Sequence, residues 1–182
     1  MESYKLLGLV SIVWIWMCLL YLVRKWPGDK TMTFSAHAAR TRASILFYLV
    51  TFSVHLITFY LFFYNWFVLF YDLPIILNLM LAIAVLGEFV ALLVPTTGGK
   101  MTVVHNIASY IMLVLLLPIS IIIANTNSVS GVVRFTSLVA VICMIIVGIV
   151  ALLQRKGKSN QLVYQIIYGG SFHIIFLVAI FS

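Results

Sequence analysis

This chain contains very few charged residues. Only 8% of its 182 residues are charged, and 4 acidic residues stand against 11 lysines and arginines. Soluble domains carry about 25% charged residues. Hydrophobic residues make up 64% of the chain, and the mean hydropathy is +1.20. Since so few charges cannot cover a surface in water, the composition excludes an ordinary soluble domain and indicates a polytopic membrane protein.

Cysteine is also scarce, and Cys18 and Cys143 both lie inside apolar segments. They form no CxxC pair and no cluster with histidine, so neither a zinc site nor a redox motif is expected. The GxSxG motif of hydrolases and the GxxxxGK[ST] phosphate loop are missing as well. These absences favour a function that is neither enzymatic nor metal-dependent.

Six segments are long and apolar enough to cross the hydrocarbon core of a bilayer, which takes about 20 helical residues. We expect an all-α fold in which six transmembrane helices form one bundle, a single domain over residues 1–182. Every loop but the first is short, so consecutive helices should pack as antiparallel neighbours. The expected helices lie near residues 4–23, 44–65, 74–94, 103–125, 132–153 and 161–181.

The distribution of basic residues predicts the orientation of these helices. Lysine and arginine are concentrated in the cytoplasmic loops of membrane proteins. Here loops one, three and five carry nine of them, and the opposite side carries two, Lys5 and Arg134. Loops one, three and five are therefore expected in the cytoplasm, with both termini outside. The nine are Arg24, Lys25, Lys30, Arg40, Arg42, Lys100, Arg155, Lys156 and Lys158.

The basic residues that give the net charge of +7 thus lie in the loops and at the ends of the expected helices. No basic face with interleaved aromatic residues is visible, so nucleic acid is not an expected partner. Membrane lipids are expected partners, because basic loops beside spanning helices attract anionic headgroups.

Glu88 is the only carboxylate inside an expected helix. An ionisable group costs about 2.5–3.5 kcal/mol at the bilayer centre. Its neighbours along one stripe of the helix, at i−4, i−1 and i+3, are the small residues Ala84, Gly87 and Ala91. Small residues mark contacts between helices, so Glu88 should face the bundle. Lys100 and His105 are its expected cationic partners. The group is interpreted as a structural tie between helices three and four, as a site for a proton or substrate, or as a contact for lipid headgroups.

His55 and His173 form a second constellation. Each lies about 16–18 Å from the cytoplasmic end of its helix, which is near the midplane. Two histidines at one level on different helices are what a b-type haem with two axial ligands requires. Gly169 and Gly170, one turn before His173, would let a flat ring approach the backbone. The alternative is ordinary hydrogen bonding between helices.

Short motifs precede the second helix and separate the third from the fourth. They are Phe34-Ser35-Ala36-His37-Ala38-Ala39 in the first place, and Pro95, Gly98-Gly99-Lys100 and His105 in the second. This pattern resembles one in small six-helix bacterial membrane proteins of unknown function. The resemblance implies six helices and a bacterial inner (plasma) membrane, and it assigns no role to any residue.

The leading hypothesis is therefore a membrane protein that handles or senses a small solute, a proton or a lipid. Its polar site on the cytoplasmic side would consist of Glu88, Lys100 and His105, and it would need no cofactor. The alternative is a b-type haem electron carrier that uses His55 and His173. A third hypothesis is a structural or assembly subunit that binds no ligand.

Overall fold

The structure, a computed structural model, describes residues 2–94, 99–154 and 160–182. All regular structure in these residues is helical. Pro95 and Gly98 of the third loop and three basic residues used in the orientation prediction, Arg155, Lys156 and Lys158, lie outside the described residues. The helices are α1 (Glu2–Lys25), α2 (Phe34–Ala38), α3 (Arg42–Phe62), α4 (Ile75–Leu93), α5 (Gly99–Asn125), α6 (Gly131–Leu153) and α7 (Gln161–Phe181), and a π-helical segment, Phe63–Val68, continues α3.

All of these helices except the short α2 are long and apolar enough to cross a membrane, which confirms the six predicted segments. Their bounds lie within four residues of the expected positions. The second spanning helix does not end at Asn65, as expected, because the π-helical segment carries it on to Val68. This extra length explains why the stretch without charge is so long there.

The six long, apolar helices form a closed ring in sequence order. α1 contacts α3, each following helix contacts the next, and α7 returns to α1, while α5 also contacts α7. Short loops produce this order, because each loop joins two helices that lie side by side. Large apolar side chains cover the outside of the ring, among them Leu46, Val114 and Phe135. Such a surface suits contact with lipid.

α2 lies at one end of the bundle, which we name the α2 end. The backbone N–H of Phe34 donates to Gln165 Oε1 on α7 at 2.8 Å, and Ser44 Oγ on α3 donates to the Ala38 carbonyl oxygen at 2.6 Å. The side chain of Thr33 caps the start of α2. These bonds hold the short helix against α3 and α7, with the Phe34 side chain buried.

The opposite end, which we name the aromatic end, is filled by Phe62, Phe63, Phe67 and Phe176. All four are fully buried, and the ring of Phe176 on α7 meets the other three edge-to-face at centroid distances of 4.9–6.1 Å. Aromatic pairs prefer this geometry. Because these rings fill the aromatic end, the open interior of the bundle lies toward the α2 end.

Candidate binding cavity

A cavity of about 160 Å³ lies inside the ring of helices. Its walls come from α1, α3, α4, α5 and α7, and Phe34 and Ser35 of α2 line one end. Along α7 it extends from Gln165 to His173, which is about 12 Å of helix axis. Space of this volume holds several water molecules or a small organic molecule.

Glu88 on α4 lines the cavity and is 6% exposed. It faces the interior, as its small neighbours predict. Gly87 lies so close to α5 that a Cβ there would come within 2.9 Å of the Ala108 carbonyl oxygen. Within the described part of the chain, the Glu88 carboxyl group has neither a hydrogen-bond nor an ion-pair partner. Because a buried carboxyl group without a partner is costly, this group favours a ligand or water in the cavity.

The two expected partners of Glu88 are placed differently. Lys100 is exposed, whereas His105 is buried, lines the cavity and contacts the end of α4. The Nδ1 atom of His105 lies 2.8 Å from the carbonyl oxygens of both Ala91 and Val94. A carbonyl oxygen only accepts, so Nδ1 is the donor. The tie between α4 and α5 is thus made by His105 with the backbone, and not by Glu88.

His55 on α3 and His173 on α7 are in direct contact. Their ring centroids are 5.1 Å apart, and the ring planes are nearly perpendicular at 88°. α1 holds both rings. Trp16 Nε1 donates to His173 Nδ1 at 3.1 Å, and His55 Nδ1 lies 2.9 Å from Ser11 Oγ and 3.2 Å from the Ser11 carbonyl oxygen. Phe59 packs against His173, so the pair lies at the side of the cavity nearer to the aromatic end.

A haem with two axial histidines would need an iron atom and a porphyrin plane between the rings. Here the rings of His55 and His173 contact each other, and the indole N–H of Trp16 at His173 Nδ1 leaves the proton of the neutral ring on Nε2, the nitrogen that would bind iron. This arrangement does not fit a haem between them. Gly169 and Gly170 face the indole of Trp16, and a Cβ built on either glycine would lie 3.8–3.9 Å from that ring. The described residues also contain no group of three metal-binding side chains.

The two sites that the sequence predicts separately share this one cavity. Glu88 and His105 line it toward the α2 end, and His55 and His173 line it toward the aromatic end. Polar groups therefore lie at both ends of a space whose walls are mainly aliphatic and aromatic.

Ser11 and Trp16, which hold the two histidines, are not among the residues predicted from the sequence. A signal for Ser11 was present, because Gly8, Ser11 and Ile15 share one face of α1 at helical spacing, and all three are buried. Small residues on such a face mark contact with another helix. Trp16 had no comparable signal, since a tryptophan in an apolar helix is ordinary.

The charged groups of the cavity are unbalanced. Glu88 is acidic, and neither lysine nor arginine is found among the described lining residues. Tyr48 lies within electrostatic range of Glu88. Trp16, Phe52 and Phe59 add ring surfaces to the wall, and aromatic faces attract cations. An acidic group and aromatic faces therefore line the same space.

No family model matches the chain, and comparisons with curated proteins and with solved structures give no significant match. The resemblance to small six-helix bacterial membrane proteins stays an expectation. Function is therefore inferred from the geometry and chemistry of the cavity.

Proposed function

We propose that this protein is a multi-pass membrane protein that binds a small organic solute inside its bundle, and so handles or senses that solute. The cavity supports this most, because the unpaired carboxyl group of Glu88 lies among largely apolar walls. A concave, mainly apolar space with few polar groups is typical of ligand sites. Glu88 and His105 form the polar site, and Lys100 stays outside it.

The proposal includes the membrane and the orientation. The apolar outside of the ring supports contact with lipid, and the bias of lysine and arginine supports a cytoplasmic location for the α2 end, with both termini outside. The resemblance to six-helix bacterial proteins supports the inner (plasma) membrane. The site at Glu88 then lies on the cytoplasmic side of the midplane.

The solute we propose carries an amine. A protonated amine would meet the carboxylate of Glu88 in an environment with little water, where a charge-assisted hydrogen bond is stronger than at an exposed surface. Aromatic rings in the wall would add cation–π attraction. A solute with a carboxylate would be repelled instead.

Octylamine, octanol and octanoate test this preference, because they share one chain length and differ in the polar group. We expect octylamine to raise the melting temperature of the purified protein in detergent by about 5–10 °C at a hundredfold excess over its Kd. Octanol should give a smaller shift, and octanoate none. Glu88→Gln should remove most of the octylamine shift, because the amide carries no charge.

Asp72→Asn is the matched control, since it makes the same chemical change at an exposed turn outside the cavity. Asp72 has a φ of 47°, a conformation that asparagine also adopts readily. The octylamine shift should survive in this variant. Equal shifts for octylamine and octanoate, or an unchanged octylamine shift in Glu88→Gln, would contradict the proposed site, and no shift with any probe would favour a subunit without a ligand.

A further inference from the structure

The two histidines at the end of the cavity away from Glu88 each have one ring nitrogen that the described residues leave free to bind a ligand. We consider His173 first. The indole N–H of Trp16 can only donate, so His173 Nδ1 must accept it. In a neutral imidazole the proton is then on Nε2. His173 therefore has a hydrogen-bond donor at Nε2, and no described residue accepts from it.

His55 has the opposite arrangement. Its Nδ1 atom contacts the carbonyl oxygen of Ser11, which can only accept, so Nδ1 carries the proton. The hydroxyl of Ser11 fits this assignment, because it can accept from Nδ1 while donating to the His55 carbonyl oxygen at 3.2 Å. Nε2 of His55 is then an acceptor, and it has no partner among the described residues.

We propose that His55 and His173 form a second subsite, which binds a neutral group that both donates and accepts hydrogen bonds, such as a hydroxyl. His173 Nε2–H would donate to that group, and His55 Nε2 would accept from it. The subsite takes the far end of the ligand whose amine lies at Glu88, so it rests on the proposed function. The ligand class is accordingly an elongated amino alcohol.

The spacing of the two polar ends supports a ligand of this shape. Tyr48 lines a second, small pocket together with His105, so it lies at the Glu88 end of the cavity. His55 follows Tyr48 on α3 by seven residues, which is about 10 Å of helix axis. The apolar ring of Phe52, which lies between Tyr48 and His55 on α3, lines the space between the two ends. An alkyl chain of about this length would join an amine at one end to a hydroxyl at the other.

Octylamine and aminooctanol, which carries a hydroxyl on its terminal carbon, test the subsite in the unmodified protein. Burying a hydroxyl without a partner should weaken binding by about tenfold or more. We therefore expect aminooctanol to bind at least as tightly as octylamine, as judged by the Kd from ligand titrations in the same detergent. A tenfold weaker Kd for aminooctanol would overturn the subsite, while the binding of octylamine would leave the proposed function intact. If neither probe binds, both proposals fail.

His173→Phe isolates the contribution of the pair, because it keeps an aromatic ring and removes the donor. The Kd of aminooctanol should rise by about tenfold or more, and that of octylamine should stay within about threefold. Glu88→Gln should weaken both probes alike. Equal effects of His173→Phe on the two probes would overturn the assignment.

The tautomers offer a measurement that needs no variant. Nitrogen-15 spectra of the full-length protein with labelled histidine should show His173 protonated at Nε2 and His55 protonated at Nδ1. In Trp16→Phe, which removes the indole donor, His173 alone should lose its fixed tautomer. Protonation of both rings at the same type of nitrogen would remove the basis of the subsite.

Discussion

Replacement of Phe176 by alanine is expected to lower the free energy of unfolding by about 2–4 kcal/mol. The ring is fully buried and packs against Phe59, Phe67 and Phe172 at centroid distances of 4.9–5.1 Å, besides its contacts with Phe62 and Phe63. In the proposed membrane environment the apolar transfer term is small, so the loss consists mainly of dispersion and edge-to-face contacts. Phenylalanine-to-alanine changes in soluble cores cost about 3–5 kcal/mol. The value expected for Phe176→Ala is lower because the transfer term is smaller.

Thermal and denaturant-induced unfolding in detergent micelles would measure the Phe176→Ala effect. Phe135→Ala is the matched control, because that ring is 67% exposed on the outside of α6 and its loss should change stability by less than about 0.5 kcal/mol. Benzene should restore part of the stability of Phe176→Ala by filling the void. Equal stability of the two variants would show that the aromatic end does not hold α7 in place.

The number of long, apolar helices, their approximate bounds and the face of Glu88 were predictable from the sequence. Each depends on local composition: apolar length predicts a spanning helix, and the small residues around Glu88 predict a helix contact. The structure has α4 and α5 in contact there, with Gly87 against the backbone of Ala108. A feature that depends only on the residues of one helix can therefore be predicted from the sequence.

The shared cavity was not predictable, because it depends on which helices are neighbours across the ring. Depth along a helix indicated that His55 and His173 lie at one level, but no pattern indicates that α1, α3 and α7 meet there. The indole of Trp16, which holds one of the rings, belongs to a helix whose sequence is apolar throughout its middle. The five-residue α2 is also too short for a periodic pattern, and it depends on hydrogen bonds to other elements, such as that from Phe34 to Gln165.

Gly8 is a position where the addition of one methyl group should lower stability. A Cβ built on it would lie 2.4–2.6 Å from three ring carbons of Phe62, which is far inside van der Waals contact. That ring cannot easily turn away, because it is fully buried, stacks on Trp66 at 5.4 Å and meets Phe176 edge-to-face. Gly8→Ala must therefore push α1 away from α3, and overpacking of this kind costs about 1–3 kcal/mol. Gly8→Leu should prevent folding.

Gly148→Ala on α6 is the control for the change of residue type, because nothing lies within 4 Å of a Cβ at that position. Alanine is the better helix former, so this variant should be neutral or slightly more stable.

A second substitution, Phe62→Leu, should rescue Gly8→Ala in part. The effects of the two changes on stability should be non-additive, because both act on the contact between Gly8 and Phe62. Movement of α1 would also displace Ser11 and Trp16, so Gly8→Ala should weaken the binding of aminooctanol more than that of octylamine. Equal melting temperatures of Gly8→Ala and Gly148→Ala would contradict the close contact between Gly8 on α1 and Phe62 on α3.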